Sequence, residues 1–483
     1  MSEQSAVRQR MSPKELLIVL VISLGSFMSG LDATIVNIAL PTIGKAFDVS
    51  TVTVSWVLNA YLIILVSLLL AASRLGDMRG YRRVFLMGFV IFTCGSAACG
   101  IAPTLGILIA SRMAQAVGGA VIAALGSVMV TSYLASSLRG QALGFVAMFT
   151  MLGAALGPVI GGFLTSVFSW RFIFYVNLPV GIIAIILGLY VLPRISPASP
   201  DSKLDAPGVL FAFIALGTLI YGLTTLQSSS TVKAVAALLI SFIFWGVFWV
   251  RERRAGEPLI DLNLLSSRPF TLQNINVMLV QLCMAGVMLL MPFYLELVKH
   301  VPTDNAGMIL LALPVGMILT SPIAGRISDV IGTKKPILLG FAMCVLALFM
   351  LSTLSAESST GHAEIYLFLL GAGTGFAYAP LNSAVMGISP EKSRGQASGL
   401  IKMMTNLGSS LGVALVMLVA TAAVGPKLAE ASVHSLDAVE LAGAFDVAFF
   451  FLTCIEVLGI ILMLAVKDVK NDYSTEGDPV AVY

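Results

Sequence analysis

Ser29-Gly30-Leu31-Asp32-Ala33-Thr34-Ile35-Val36-Asn37-Ile38-Ala39-Leu40-Pro41 places an acid inside an otherwise apolar run. The run extends from Leu16 to Pro41, longer than the roughly 20 residues a helix needs to cross hydrocarbon. Asp32 lies slightly past its midpoint, where so short a side chain cannot reach an interface. A charge at that depth is expensive, so such residues face a bundle interior or a watered cavity. At helical spacing Gly25, Ser29, Asp32 and Val36 share one face, giving a small and polar stripe on an apolar cylinder. A hydrogen bond between packed helices would explain the acid, and so would a functional site.

Working outward, 58% of the 483 residues are hydrophobic and 11% charged, which makes this an all-α polytopic membrane protein whose first partner is the lipid bilayer. Cys94, Cys99, Cys283, Cys344 and Cys454 fall in apolar segments without metal-ligand spacing and read as small core residues, so no metal is expected. His300, His362 and His434 fall in expected loops. Carboxylates must then carry any proton chemistry. There is no G-x-x-x-x-G-K-[ST] phosphate loop and no soluble segment large enough for a nucleotide-binding domain. Energy is expected to come from an ion gradient, with no cofactor and no nucleic acid.

Apolar segments suited to spanning begin near residues 15, 55, 84, 107, 142, 173, 207, 234, 271, 307, 336, 365, 400 and 445, fourteen in all. With a cytoplasmic amino terminus, most arginines and lysines fall in inside loops, including Arg74, Arg79, Arg82, Arg83, Arg139, Arg326, Lys334, Lys335 and Arg394. Lys45, Arg171, Lys233, Lys299 and Lys427 remain outside, and Arg112 and Lys402 fall within spans. This is the positive-inside pattern, with both termini cytoplasmic.

Two echoes divide the chain. Asp77-Met78-Arg79-Gly80-Tyr81-Arg82 returns as Asp329-Val330-Ile331-Gly332-Thr333-Lys334, an offset of 329 − 77 = 252. Arg139-Gly140-Gln141-Ala142 returns as Arg394-Gly395-Gln396-Ala397, an offset of 394 − 139 = 255. Two motifs repeating at nearly one period indicate a duplicated unit. The expected organisation is an amino-terminal six-helix bundle over 1–192, a linker with two extra transmembrane helices over 193–270, a carboxyl-terminal six-helix bundle over 271–466 and a cytoplasmic tail over 467–483.

At Leu31 to Pro41 the chain resembles the major facilitator superfamily, and within it the fourteen-span drug:proton antiporters, whose first-span signature reads Leu-Asp-x-Thr-x-Val-Asn-x-Ala-Leu-Pro. Ser73 to Arg83 is similar to the superfamily's loop between spans two and three, with Ser73 for a usual glycine and Met78 for a usual basic residue. The resemblance makes Asp77, Gly80, Arg82, Asp329 and Gly332 gate residues. Arg112-Met113-Ala114-Gln115-Ala116-Val117-Gly118 resembles the family's Arg-x-x-Gln-Gly-x-Gly, with Ala116 for a glycine, and similar transporters tie this arginine to proton transfer. Gly153, Gly157, Pro158, Gly161 and Gly162 match the fifth-span motif of exporters. Their fourfold spacing suits close helix approach, and Pro158 removes a backbone donor.

The resemblance implies a major facilitator fold: two six-helix bundles plus two central helices. It also implies a proton-coupled antiporter in a bacterial inner membrane, exporting lipophilic, often cationic, drugs or toxic compounds. Coupling falls to Asp32 and Arg112, with Glu296 and Glu456 as further acids. Asn37, Tyr61, Gln115, Met284, Met288 and Tyr294 are expected to line the cavity, methionine being adaptable to varied apolar ligands. An exporter of one metabolite is the nearest alternative. An integral membrane enzyme or sensor is disfavoured by the lack of clustered histidines, cysteines or paired carboxylates.

Overall fold

A computed structural model of the chain describes residues 11–195, 197, 205–226, 231–254, 262–389, 394–424 and 438–466. Among the described residues there is no strand. His434, the expected tail 467–483 and the side chain of Asp329 lie outside them.

The helix boundaries follow local chemistry. α1 (Pro13–Phe47) opens on a capping box, in which the Ser12 side chain accepts from the Glu15 amide and Glu15 accepts from the Ser12 amide. Thr53 and Ile107 donate their amides to Ser50 and Thr104, which cap α2 (Thr51–Arg79) and α4 (Leu105–Tyr133). Gly80, at φ 89°, turns the chain sharply from α2 into α3 (Tyr81–Ile101). α5 (Ser136–Val167) is followed by the short α6 (Phe172–Tyr175) and by α7 (Asn177–Val191). α8 (Ala206–Thr225) and α9 (Thr231–Arg254) form a hairpin, held at one end by Arg251 on Asp205 at 3.0 Å.

After α10 (Leu262–Ser266), α11 (Arg268–Phe293) runs into a π-helical turn over Tyr294–Val298. Then come α12 (Thr303–Leu310), α13 (Ala312–Ile331), α14 (Lys334–Leu351), α15 (Thr360–Ile388), α16 (Arg394–Val424) and α17 (Ala438–Leu464). Gly332, at φ 86°, repeats between α13 and α14 the turn made by Gly80.

Among the described residues thirteen helices are long and apolar enough to cross a membrane, against fourteen expected segments. The remaining expected segment, beginning near residue 365, is the 29-residue α15. It is a helix of spanning length, but Gly371, Gly373, Thr374, Gly375, Tyr378, Pro380 and Asn382 dilute its apolar character.

The packing of the first half repeats in the second. α1 packs along α5 as α11 packs along α16; α2 and α3 pack on α4 as α13 and α14 pack on α15; α3 meets α7 as α14 meets α17. The same glycines make the crossings. A Cβ on Gly118 would strike the Phe92 amide and the Gly88 carbonyl, and one on Gly373 would strike the Cys344 amide and the Gly340 carbonyl. The offsets are 373 − 118 = 255, 344 − 92 = 252 and 340 − 88 = 252, those of the two motifs.

The halves meet where α2 faces α16, where α1 faces α11, and where α5 faces α12. Along the last seam a Cβ on Gly307 would overlap the Pro158 carbonyl, and one on Gly162 would come within 2.6 Å of the Thr303 carbonyl. α8 lies against both α2 and α16, joining Ile220 to Ile63 and Ala414 in one buried apolar cluster.

Candidate functional site

Asp32 and Arg112 meet inside the first bundle. Asp32 is fully buried and Arg112 is 1% exposed. Arg112 Nη1 donates to Asp32 Oδ1 and Oδ2 at 2.9 Å each and to Gln115 Oε1 at 2.6 Å, and Nε donates to the Val57 carbonyl at 3.3 Å. Gln115 Nε2 donates to Asp32 Oδ1 at 3.1 Å and to Ser96 Oγ at 2.7 Å. Arg112 Cζ lies over the Tyr61 ring, 4.1 Å from its centroid. Four helices thus contribute to one neutral cluster: α1 the acid, α4 the base and amide, α2 a carbonyl and an aromatic face, α3 a hydroxyl. A buried charge is tolerated only with such pairing and hydrogen bonding.

This arrangement departs from the sequence expectation in one respect. Tyr61 and Gln115 were expected on the cavity wall; both instead turn inward to the pair and are buried. Helical spacing puts Gln115 on the face of Arg112, and what that face meets is an acid rather than a channel.

A small pocket between the halves is lined by Thr34 of α1, Met151 and Ala154 of α5, Met284 and Met288 of α11, and Leu313, Pro314, Met317 and Ile318 of α13. Met284 and Met288, expected to line the cavity, are among these residues, with Met151 and Met317 beside them. This pocket encloses about 60 Å³, well below the roughly 300 Å³ of the smaller ligand pockets. Thr34, two residues from Asp32, donates to the Ala154 carbonyl at 3.0 Å. α1 thus carries the acid on one face and the cavity wall on another. Asn37 bonds within its own helix, to the Ala33 carbonyl at 3.4 Å. Tyr294 leaves the cavity altogether and donates to the Ser355 carbonyl at 3.0 Å.

The fifth-span glycines form the seat on which α1 rests. A Cβ on Gly153 would overlap the Phe27 carbonyl, one on Gly157 the Thr34 hydroxyl, and one on Gly161 would come within 2.6 Å of Ile38 Cγ2. Pro158 and Gly162 point the other way, to α12. One helix therefore touches the helix that carries Asp32 with one stripe and the opposite bundle with another.

The remaining acids sit elsewhere. Glu456 of α17 is 1% exposed, and neither carboxyl oxygen has a hydrogen-bond partner. Its neighbours include the thiols of Cys283 and Cys344, deep in the second bundle. Glu296 lies in the π-helical turn after α11, 8% exposed with Oε1 unpartnered. Neither lines the cavity. Asp77 accepts from the Tyr81 hydroxyl at 2.6 Å, and Arg82 donates to the Leu189 carbonyl at 2.5 Å. The turn containing Gly80 is in this way fastened to α7.

Sequence reasoning missed Ser96, Cys99 and the Val57 carbonyl around the ion pair. It also missed the asymmetry of the two halves. At the offset that carries Phe27 onto Met278 as glycine contacts, 278 − 27 = 251, Asp32 falls on Cys283. At the α4 offset of 255, Arg112 and Gln115 fall on Leu367 and Leu370, both buried. The second bundle holds apolar residues where the first holds its charges.

The comparisons agree with this architecture. Residues 22–413 match the sequence profile of the Major Facilitator Superfamily, with a second match over 278–479. The chain is 33% identical over 398 residues to riboflavin transporter RibZ of Clostridioides difficile (strain 630), covering 82% of this chain and 86% of that protein. It is 30% identical over 408 residues to multidrug resistance protein Stp of Mycobacterium tuberculosis (strain ATCC 25618 / H37Rv), covering 84% and 76%. It is 29% identical over 438 residues to the tetracenomycin C resistance and export protein of Streptomyces glaucescens, covering 89% and 81%. Among solved structures, a D-xylose-proton symporter superposes with a TM-score of 0.67 at 14% identity, covering 93% of this chain and 97% of that one. A bacterial homolog of the human lysosomal transporter Spinster, inward-facing and unoccupied, does so at 0.66 and 14%, covering 95% and 98%. With that breadth of match, a duplicated helical unit and a cavity between its halves, this chain belongs to the Major Facilitator Superfamily, a family of membrane transporters.

Proposed function

We propose that this protein is a fourteen-span, proton-coupled antiporter that exports lipophilic small molecules across a bacterial inner membrane, with Asp32 as its proton site. Both termini and the turns at Asp77 and Asp329 are cytoplasmic, and Gly80 and Gly332 give the two gate turns their shape. The bundles are 1–192 and 271–466, with α8 and α9 as the extra pair. Support for the count comes from α15, which packs against α13 and α14 as α4 does against α2 and α3. Support for export comes from the α5 motif and from relatives named as resistance and export proteins.

The observation that carries the coupling is Asp32 sealed against Arg112 and Gln115, two residues from the cavity wall at Thr34. As a carboxylate, Asp32 neutralises Arg112 and ties α1 to α4. Once protonated, it leaves a buried guanidinium without a counter-charge, which costs about 3–5 kcal/mol unless the helices shift. Proton loading thus becomes movement of α1, and α1 carries Thr34 and the contact with α5. Proton and substrate act on two faces of one helix and do not compete for one oxygen. A cationic substrate is not required by this pocket, because no acid stands among the described residues that line it.

Everted membrane vesicles and purified protein test this reading. Substrate addition should release protons from the wild type, and Asp32→Asn should insert normally, release none and lose proton-driven export. Unchanged proton release in Asp32→Asn would move coupling to Glu296 or Glu456. A second reading, export of one metabolite, is favoured by the similarity to a riboflavin transporter. A panel of unrelated lipophilic competitors separates the two, since a single-metabolite exporter is inhibited by few of them.

A further inference from the structure

Lys402 is the second intramembrane cation, and the mechanism above does not use it. It projects from α16 and donates to the Ala123 carbonyl of α4 at 2.5 Å, although α4 and α16 do not pack along their lengths. The side chain therefore crosses between the bundles. An ammonium has three N–H donors, and this carbonyl is the acceptor found for it among the described residues. No described carboxylate lies within ion-pair distance of it. Asp32 and Arg112 cancel each other inside the first bundle.

The surroundings of Lys402 are polar. Thr405, Asn406 and Ser409 follow it at i+3, i+4 and i+7 on one face of α16, all partly exposed. Tyr378 of α15 pairs with Thr405 at 3.0 Å, and Asn382 and Asn406 donate to the Tyr378 and Lys402 carbonyls at 2.8 Å. Along α4, Ala123 lies 123 − 112 = 11 residues from Arg112, roughly 16 Å at 1.5 Å per residue, toward the end that leads to the Arg139 loop. That separates the ammonium from the proton site.

We propose that Lys402 is a substrate-binding residue that takes the carboxylate of a lipophilic organic anion or zwitterion. In this structure the Ala123 carbonyl holds the ammonium, and the substrate's carboxylate replaces it, with the polar face of α15 and α16 alongside. A carbonyl is a weaker partner for an ammonium than a carboxylate, because only the second hydrogen bond has charge on both sides. This assignment rests on the transport reading above and narrows its substrate class.

The test uses purified full-length protein and three probes of one shape: pyrenebutyrate, its methyl ester, and the matching trimethylammonium cation. Wild-type protein should bind the carboxylate in preference to the ester and the cation. Lys402→Gln should reduce the carboxylate-to-ester preference roughly thirtyfold, the low end for removing one partner of a desolvated charge pair, and Lys402→Arg should retain most of it. A wild type that binds ester or cation as well as carboxylate overturns the proposal, as does a Lys402→Gln variant with the wild-type preference. Either result with substrate-induced proton release intact removes the anion site and leaves the antiport reading standing. Absence of proton release with any substrate, alongside retained carboxylate preference, removes antiport and leaves the site.

Discussion

At the scale of single residues, the first bundle stakes its interior on one ion pair. Asp32 and Arg112 are both essentially inaccessible, so deleting one partner leaves the other charged in a low-dielectric core, at about 3–5 kcal/mol. Replacing both removes two charges together and restores much of that loss. Arg112→Gln alone should therefore lower the apparent Tm of the purified protein more than the Asp32→Asn, Arg112→Gln double variant does. On the proposed coupling, proton-driven transport should be absent from both. Equal thermal shifts in the single and double variants would show that the pair is not energetically coupled. Each member was legible in the sequence as a charge inside an apolar run, because hydrocarbon tolerates so few. Their partnership with Ser96 and the Val57 carbonyl was not, since helical periodicity states which residues share a face and is silent about the helix opposite.

At the scale of elements, the glycines decide which helices touch. Gly153, Gly157 and Gly161 were readable as a packing stripe from their spacing alone, and they seat α1. Their counterparts were also in the sequence, Gly408 and Gly412 at 408 − 153 = 255 and 412 − 157 = 255, set against the Met278 and Leu282 carbonyls of α11. In a chain with 44 glycines, isolated matches at one offset carry no weight until the crossings are seen. α15 illustrates the reverse: its close contacts with α13 and α14 require the glycines that lower its hydropathy. The prediction at this scale is a contrast within α5. Gly157→Val should insert normally but lose transport, because a Cβ there overlaps the Thr34 hydroxyl and γ-methyls add to the conflict. Gly144→Ala, where a Cβ meets nothing within 4 Å, should transport normally and gain up to about 1 kcal/mol from helix propensity. Full activity in Gly157→Val would show that α1 does not depend on this seat.

For the whole molecule, the α5–α12 seam is closed in this structure. Pro158 and Gly162 on α5 meet Thr303 and Gly307 on α12 backbone to backbone, and the seam leads to the end of the bundle that carries His300, opposite the turns at Gly80 and Gly332. A side chain at Gly307 would overlap the Pro158 carbonyl and could not be accommodated without parting the two helices. Gly307→Val should accordingly hold this end open while leaving the glycine seat of α1, on the other stripe of α5, undisturbed. The measurement is labelling of a single cysteine at Met284, which lines the cavity, after replacement of the five native cysteines. In right-side-out vesicles a membrane-impermeant maleimide should react slowly with Met284→Cys alone and several times faster when Gly307→Val is added. Substrate transport should fall in the same variant, because a transporter that cannot close one side cannot complete its cycle. Unchanged labelling would mean that the seam is not the barrier between the cavity and that face, and the closure would then have to lie with α1 and the π-helical turn after α11, which share one buried cluster through Ile43, Leu295 and Val298.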